Sequence, residues 1–256
     1  MILIDTPYEK IYEVMESERE KVEFALTKEF ARAEKKFHQA VSLPVIHHAV
    51  YTVPSSGNRY LVWLYAGNQH EKRVKPRSGF ALMVNDRDGK RNFYTTKLYD
   101  RFNSLTCKTE KISILSHYTA HFMSRYRERK RYPTSLSSLD LAATFFGRNN
   151  RNVVRSGKEM INGRHSRQDN YRSAMLQDGV SLLHFIEITA PDGKPVEVNR
   201  HNTFLTEEML KQSQKENFVH IPEGDDIEMY KAMLKHLKGL CPDFSTAQVR
   251  PCTFDI

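Results

Sequence analysis

Ile112-Ser-Ile-Leu-Ser-His-Tyr-Thr-Ala-His-Phe-Met-Ser-Arg-Tyr-Arg-Glu-Arg129 joins two periodicities. Its first part is a short run of β-branched and apolar residues, the pattern of a strand. Its second part repeats every four residues, the pattern of a helix. His117, His121, Arg125 and Arg129 stand four apart. A step of four advances about 400°, so neighbours in that row lie about 40° apart on one ridge. Tyr118, Phe122 and Tyr126 make the apolar row beside it. Ser116 can cap the helix and Pro133 stops it, which predicts a helix over 117–131. Phe122 and Tyr126, in the apolar row, are expected to be buried.

Upstream, Thr6-Pro7-Tyr8-Glu9 is a helix start, with Thr6 as cap, Pro7 in the first turn and Glu9 completing a capping box. Tyr8, Ile11, Tyr12, Met15, Val22, Leu26, Ala33 and Phe37 keep a three/four spacing that is interrupted by charge near Arg19. This predicts one long helix, or a helical hairpin, over 7–40. After Pro44 the period changes. Segments 45–53, 60–66, 79–85 and 92–97 read as strands, 67–78 as a Lys/Arg-bearing loop, and Asn85-Asp-Arg-Asp-Gly89 as a hairpin turn. Residues 44–115 therefore predict an antiparallel meander that ends with Lys111–Leu115.

Downstream, Ser137 and Ser138 precede a short helix over 139–146 that Gly147 closes. Residues 148–170 are polar and basic and read as a loop. Segments 171–176, 180–188 and 196–205, separated by Gln177-Asp-Gly179 and Pro191-Asp-Gly193, form a second meander. Thr206 begins a helix to about residue 218, and another runs over 225–239. The fold class is α+β: antiparallel sheets, a long N-terminal helix, and helices packed on one face of the C-terminal meander. Two parts are expected, 1–110 (helix and meander) and 111–256 (the remainder).

The chain of 256 residues is 39% hydrophobic and 11% aromatic, enough for a sizeable core. No apolar run reaches the roughly 18 residues of a membrane span, and the mean hydropathy is −0.60. The start lacks a basic region followed by a long apolar one, so no secretory signal is expected. Cys107, Cys241 and Cys252 are odd in number and read as reduced thiols, which predicts a cytoplasmic protein. The net charge is +8. It is concentrated: residues 117–172 hold twelve Lys/Arg against four Asp/Glu, a local excess of eight. A clustered basic field points to a polyanion, most simply nucleic acid, or to an acidic protein partner. His117, Arg127, Lys130, Arg148, Arg151 and Arg155 are the candidate nucleic-acid contacts.

The row His121-x-x-x-Arg125-x-x-x-Arg129 carries the sharpest chemistry. Imidazole can exchange a proton near neutrality, and arginine stays charged beside a phosphate. Such groups suit cleavage at a ribose 2′-hydroxyl, with proton transfer by His121 and phosphorane stabilisation by Arg125 and Arg129. RNA supplies the nucleophile, so neither cofactor nor metal is required. The bland alternative is a helix whose arginines face water. His117-x-x-x-His121 also has zinc-pair spacing, but Tyr118 stands where a general-base Glu would be, and the arginines oppose a cation. His201 and Thr203 alternate with Asn199 on the last strand and are the expected complement of the pocket. His184 lies among Val180, Leu182, Ile186 and Ile188, as a core or rim histidine would. Of His47-His48, one must point outwards, with no partner evident. Tyr60, Trp63 and Tyr65 read as sheet core. Walker, G-x-G-x-x-G, C-x-x-C and G-x-S-x-G motifs are absent.

The order of elements over 112–205 resembles the small RelE/BrnT-like ribonuclease toxins and their relatives in the barnase–EndoU–colicin–RelE fold group. A strand leads to a helix with H-x-x-x-R-x-x-x-R. A second helix begins Ser138-Leu139-Asp140, a basic loop follows, and a three-stranded meander ends near Thr203. The resemblance implies helices on a four-stranded antiparallel sheet and metal-independent RNA cleavage. It places His121, Arg125, Arg129 and Thr203 in the catalytic set, with His201 beside them, and it makes an inhibitory protein partner an expectation. It covers about a third of the chain. Residues 1–110 and those after Thr206 have no counterpart in a minimal toxin, so the expected function is an RNA-binding, ribonuclease-like protein. The alternative is a non-catalytic basic module that binds nucleic acid or an acidic protein.

Overall fold

A computed structural model describes residues 1–103, 108–150, 152–156 and 170–215. Helix α1 (Tyr8–Gln39) is followed by β1 (Val45–Thr52), β2 (Arg59–Ala66), the short α2 (Gln69–Arg73), β3 (Arg77–Asn85), β4 (Arg91–Asn103) and β5 (Lys108–Tyr118). Helices α3 (Ala120–Arg129) and α4 (Ser138–Arg148) come next. After them run β6 (Asn152–Ser156), β7 (Tyr171–Leu176), β8 (Gly179–Thr189) and β9 (Pro195–Leu205). The α+β class holds, but the strands make one sheet of nine in the order β1-β2-β3-β4-β5-β9-β8-β7-β6. Every pairing is antiparallel except β5 with β9, which is parallel. The expected boundary near residue 110 falls inside the β4–β5 hairpin, so the hydrogen-bond ladder runs straight through it.

Helix α1 is continuous, not a hairpin. Its buried stripe is Ile11, Met15, Glu18, Val22, Ala25, Glu29, Ala33 and Phe37. The two acids in that stripe explain the interrupted pattern. Glu18 accepts from Asn58 Nδ2 at 3.0 Å and Tyr60 OH at 2.7 Å, and Glu29 meets His47 Nε2 at 2.8 Å. Hydrogen bonds to their oxygens offset part of the cost of burying carboxylates in an apolar stripe. Thr6 does not cap this helix: Pro7 holds the cap position without a side-chain bond, and Thr6 Oγ1 accepts from Leu3 N–H instead.

Strand β2 is buried from Tyr60 to Ala66 because α1 covers one face and α4 the other. That is why Tyr60-Leu-Val-Trp-Leu-Tyr-Ala66 lacks polar alternation. His47 and His48 on β1 reach opposite faces. His47 meets Glu29 of α1, and His48 Nε2 lies 2.8 Å from Asp140 Oδ1 of α4. Neither is partnerless, a correction to the sequence expectation.

The helix after β5 begins later than its pattern suggests. β5 stays paired to Phe93 and His201 as far as Tyr118, so His117 belongs to the strand. Thr119, not Ser116, is the cap, its Oγ1 accepting from Phe122 N–H at 3.1 Å. Sheet pairing on both sides outweighs helical propensity for 116–118. Phe122 and Tyr126 are fully buried on the sheet face with Phe204, as expected. Ser137 caps α4 by accepting from Asp140 N–H. Gly147 lies within α4 and does not end it: a Cβ there would come within 2.4 Å of the Tyr65 ring. The basic loop holds a strand, β6, paired with β7. The expected helix after Thr206 is a 3-10 turn (Glu207–Met209) and a short helical turn (Gln212–Lys215). Residues 216–256, with the helix expected over 225–239, lie outside the described residues, as does Cys107.

Candidate nucleic-acid interface

Helix α3 sorts its side chains by angle. Phe122, Met123 and Tyr126 face the core. His121 and Ser124 face solvent, and Arg125, Arg127 and Arg129 are half-buried on the flanks. Lys130 and Arg131 follow at the C-terminal end, where Arg131 has φ 55°. From Arg125 to Arg131 there are five cations and one acid, Glu128. Glu128 engages Arg125 at 2.7 Å. Arg127 Nη1 donates to Pro133 O at 2.7 Å, which points it back along the helix. Arg129 Nη1 reaches Thr203 Oγ1 at 3.4 Å. Burial and then the charge of Arg125 lower the pKa of Arg129 from its usual value.

The expected catalytic set is therefore brought together only in part. Arg129 meets Thr203 beside Arg125. His121 sits two turns away, about 12 Å along the axis. It is exposed and makes no side-chain hydrogen bond among the described residues. His201 is a correction, being 1% exposed. An extra residue, Asn202, interrupts the β8–β9 register, since Leu182 pairs with Thr203 and Leu183 with His201. The bulge breaks the alternation, so His201 enters the core together with Phe204. His201 stacks on Tyr118 at 4.2 Å, with Nδ1 2.7 Å from Ser181 Oγ.

His117 is also corrected. It lies 5% exposed on the opposite sheet face, with Nδ1 2.9 Å from Tyr8 OH and Nε2 3.2 Å from Asn92 Oδ1. It can neither touch a ligand at α3 nor share a zinc ion with His121. Arg148 is a third correction: its Nε and Nη2 both bind buried Asp178, at 2.9 and 2.7 Å. Lys130 lies 3.7 Å from the same carboxylate but is half-buried at the surface. Arg151 and the side chain of Arg155 lie outside the described residues.

Burial, and then the charge of Arg200, pushes His117 down to about 3. Burial, and then His117, pushes His201 down to about 3. Both are neutral in the fold, whereas in the unfolded chain they protonate near pH 6.5. Their contribution is complete above that pH and is lost as pH falls toward 3. Urea midpoints should therefore drop through this window, each histidine adding a slope of about 1.4 kcal/mol per pH unit. His201→Phe should flatten the slope by one histidine's share. An unchanged slope would contradict the burial.

Sequence reading missed a concave feature beside α3. Gly89, Lys90, Arg91, Phe93, Ala120, Met123, Ser124, Arg127, Ser138 and Leu141 line a pocket of about 330 Å³. Its cations come from the β3–β4 turn as well as from α3. The Lys90-Arg91 pair after Asn85-Asp-Arg-Asp-Gly89 was the available signal, but a turn carrying charge reads as solvated surface. Among the described residues no cluster of His, Cys, Asp and Glu is arranged to hold a metal ion, and no helix is long and apolar enough to cross a membrane. Comparison with family models, with curated proteins and with solved structures gives no match.

Proposed function

We propose that this chain binds nucleic acid, chiefly through phosphate contacts along α3. The observation that carries the reading is the cation excess on Arg125–Arg131, opposed by Glu128 alone within that stretch. Guanidinium groups on half-exposed flanks keep their hydration partly removed and their donors oriented, as phosphate recognition requires. His121, the proton-transfer group of the ridge, is exposed with no partner to orient it among the described residues, and Arg125 is engaged by Glu128. For this reason binding is favoured over cleavage. Metal-independent cleavage needs a proton-transfer group and the charge stabiliser within hydrogen-bond reach of the same phosphate. The backbone rise from His121 to Arg129 is about 12 Å, so of the two arginines only Arg125, engaged by Glu128, is within a turn of it.

One assay separates the two. Labelled RNA and DNA are incubated with the protein in EDTA, then run on native and denaturing gels. The expected result is retarded, intact nucleic acid, with His121→Ala binding as wild type does. Cleavage by wild type that falls by about two to four orders of magnitude in His121→Ala would replace binding with the ribonuclease reading.

A further inference from the structure

The pocket of about 330 Å³ beside α3 has an unusual lining for a surface depression. Phe93, Met123 and Leu141 close its floor and are only 1%, 6% and 2% exposed, so the apolar surface open to a ligand is small. Its rim carries Lys90, Arg91 and Arg127 and no carboxylate. Two of these cations are held in place. An Arg91 Nη1–H donates to Ser138 Oγ, and an Arg127 Nη1–H to Pro133 O. Each guanidinium has five N–H donors, so one bond fixes the fork and leaves others for a ligand. Lys90 has only a loose contact with Asp88, at 3.8 Å between exposed side chains. Asp140, the nearby acid of α4, is occupied by His48 and the Ser137 hydroxyl. The amino ends of α3 and α4 add positive potential to the same side.

We infer that this pocket binds a terminal nucleotide bearing a phosphomonoester, on the end of a strand or free as a nucleoside monophosphate. A bare phosphate is far smaller than the space of about 330 Å³, whereas a nucleoside monophosphate is of its size. A phosphodiester within a chain carries one charge and must leave the pocket on both sides. A monoester carries about −1.5 to −2 and ends there. The volume lies near the lower bound of small-molecule pockets, roughly 300 Å³. The inference deepens the proposed function and rests on it for the strand-end form alone.

The test uses one labelled oligonucleotide in three forms: 5′-phosphorylated, 3′-phosphorylated and with hydroxyl at both ends. Adenosine 5′-monophosphate and adenosine are titrated separately by calorimetry. One phosphorylated form should bind about tenfold more tightly than the hydroxyl form, the worth of a charge-assisted contact. Arg91→Gln should bring the ratio of affinities for the phosphorylated and hydroxyl forms to about one, and Lys90→Gln should reduce it. The monophosphate should bind wild type more tightly than adenosine does. Equal affinity for all three oligonucleotides with no monophosphate binding would overturn the inference while leaving ridge binding intact. A phosphate preference that survives Arg91→Gln and Lys90→Gln together would overturn it too. If no oligonucleotide binds but the monophosphate does, the pocket stands and the polymer reading falls.

Discussion

Phe122→Ala is expected to destabilise the fold by about 3–5 kcal/mol, measured by urea unfolding at neutral pH. Phe122 is fully buried and touches rings from three elements: Tyr118 of β5, Phe145 of α4, and Phe204 and His201 of β9. Tyr118, His201 and Phe204 are fixed by sheet pairing and Phe145 by its place in α4, so they cannot collapse into the space. The lost contact area and the residual cavity therefore add. Phe122→Leu, which keeps most of the volume, should cost clearly less. A loss below about 1 kcal/mol for the alanine variant would contradict the packing of α3 on β9.

Asp178→Ala should cost a similar amount, about 3–5 kcal/mol, for an electrostatic reason. Asp178 sits in the β7–β8 turn with its side chain 1% exposed. It accepts from Arg148 Nε and Nη2, from Tyr126 OH at 2.7 Å and from Asn149 Nδ2 at 3.0 Å. One carboxylate thus ties the turn to the ends of both helices, and its removal leaves Arg148 half-buried without a counter-charge. Burial by itself would raise the pKa of this carboxyl. The bonds from Arg148 and Tyr126 outweigh burial and hold it below the usual range. Its contribution is therefore complete above the unfolded value of about 3.9 and is lost only as pH falls below that. The acid limb then has two parts: histidine burial from about pH 6.5 downward, and Asp178 below about pH 4. Asp178→Ala should remove the second part alone.

The long helix and most strands were legible because each announced its own period, whereas α2, β6 and the short turns after Thr206 did not. The strand to Thr189 was marked by its β-branched and apolar residues, and Tyr171–Leu176 by the Asp178-Gly179 turn that follows it. The single sheet was not legible, because the β5–β9 parallel pairing joins segments nearly eighty residues apart and leaves no local mark. The four-residue row misled at His117 for the same reason. A residue in helical phase was held in a strand by neighbours distant in sequence. His201 was misplaced because alternation assumes an unbroken strand, and the extra residue Asn202 shifts the phase. Arg148 looked like part of a basic surface because nothing near it in sequence reveals the partner at Asp178. Arg125, Arg127 and Arg129 share one helix and Thr203 lies beside Arg129, placements that depend on local helical geometry and one side-chain contact to the sheet.

The central claim, that α3 binds phosphates, is tested most directly by the salt dependence of binding. Association of the wild-type protein with a single-stranded oligonucleotide should weaken linearly in log–log form. The slope should be about −0.7 for each phosphate neutralised. Arg125→Gln and Arg129→Gln should each shallow the slope by about one contact while leaving the urea midpoint of folding almost unchanged. No retention of the oligonucleotide at low salt, or a slope that is the same in the double variant as in wild type, would contradict the account.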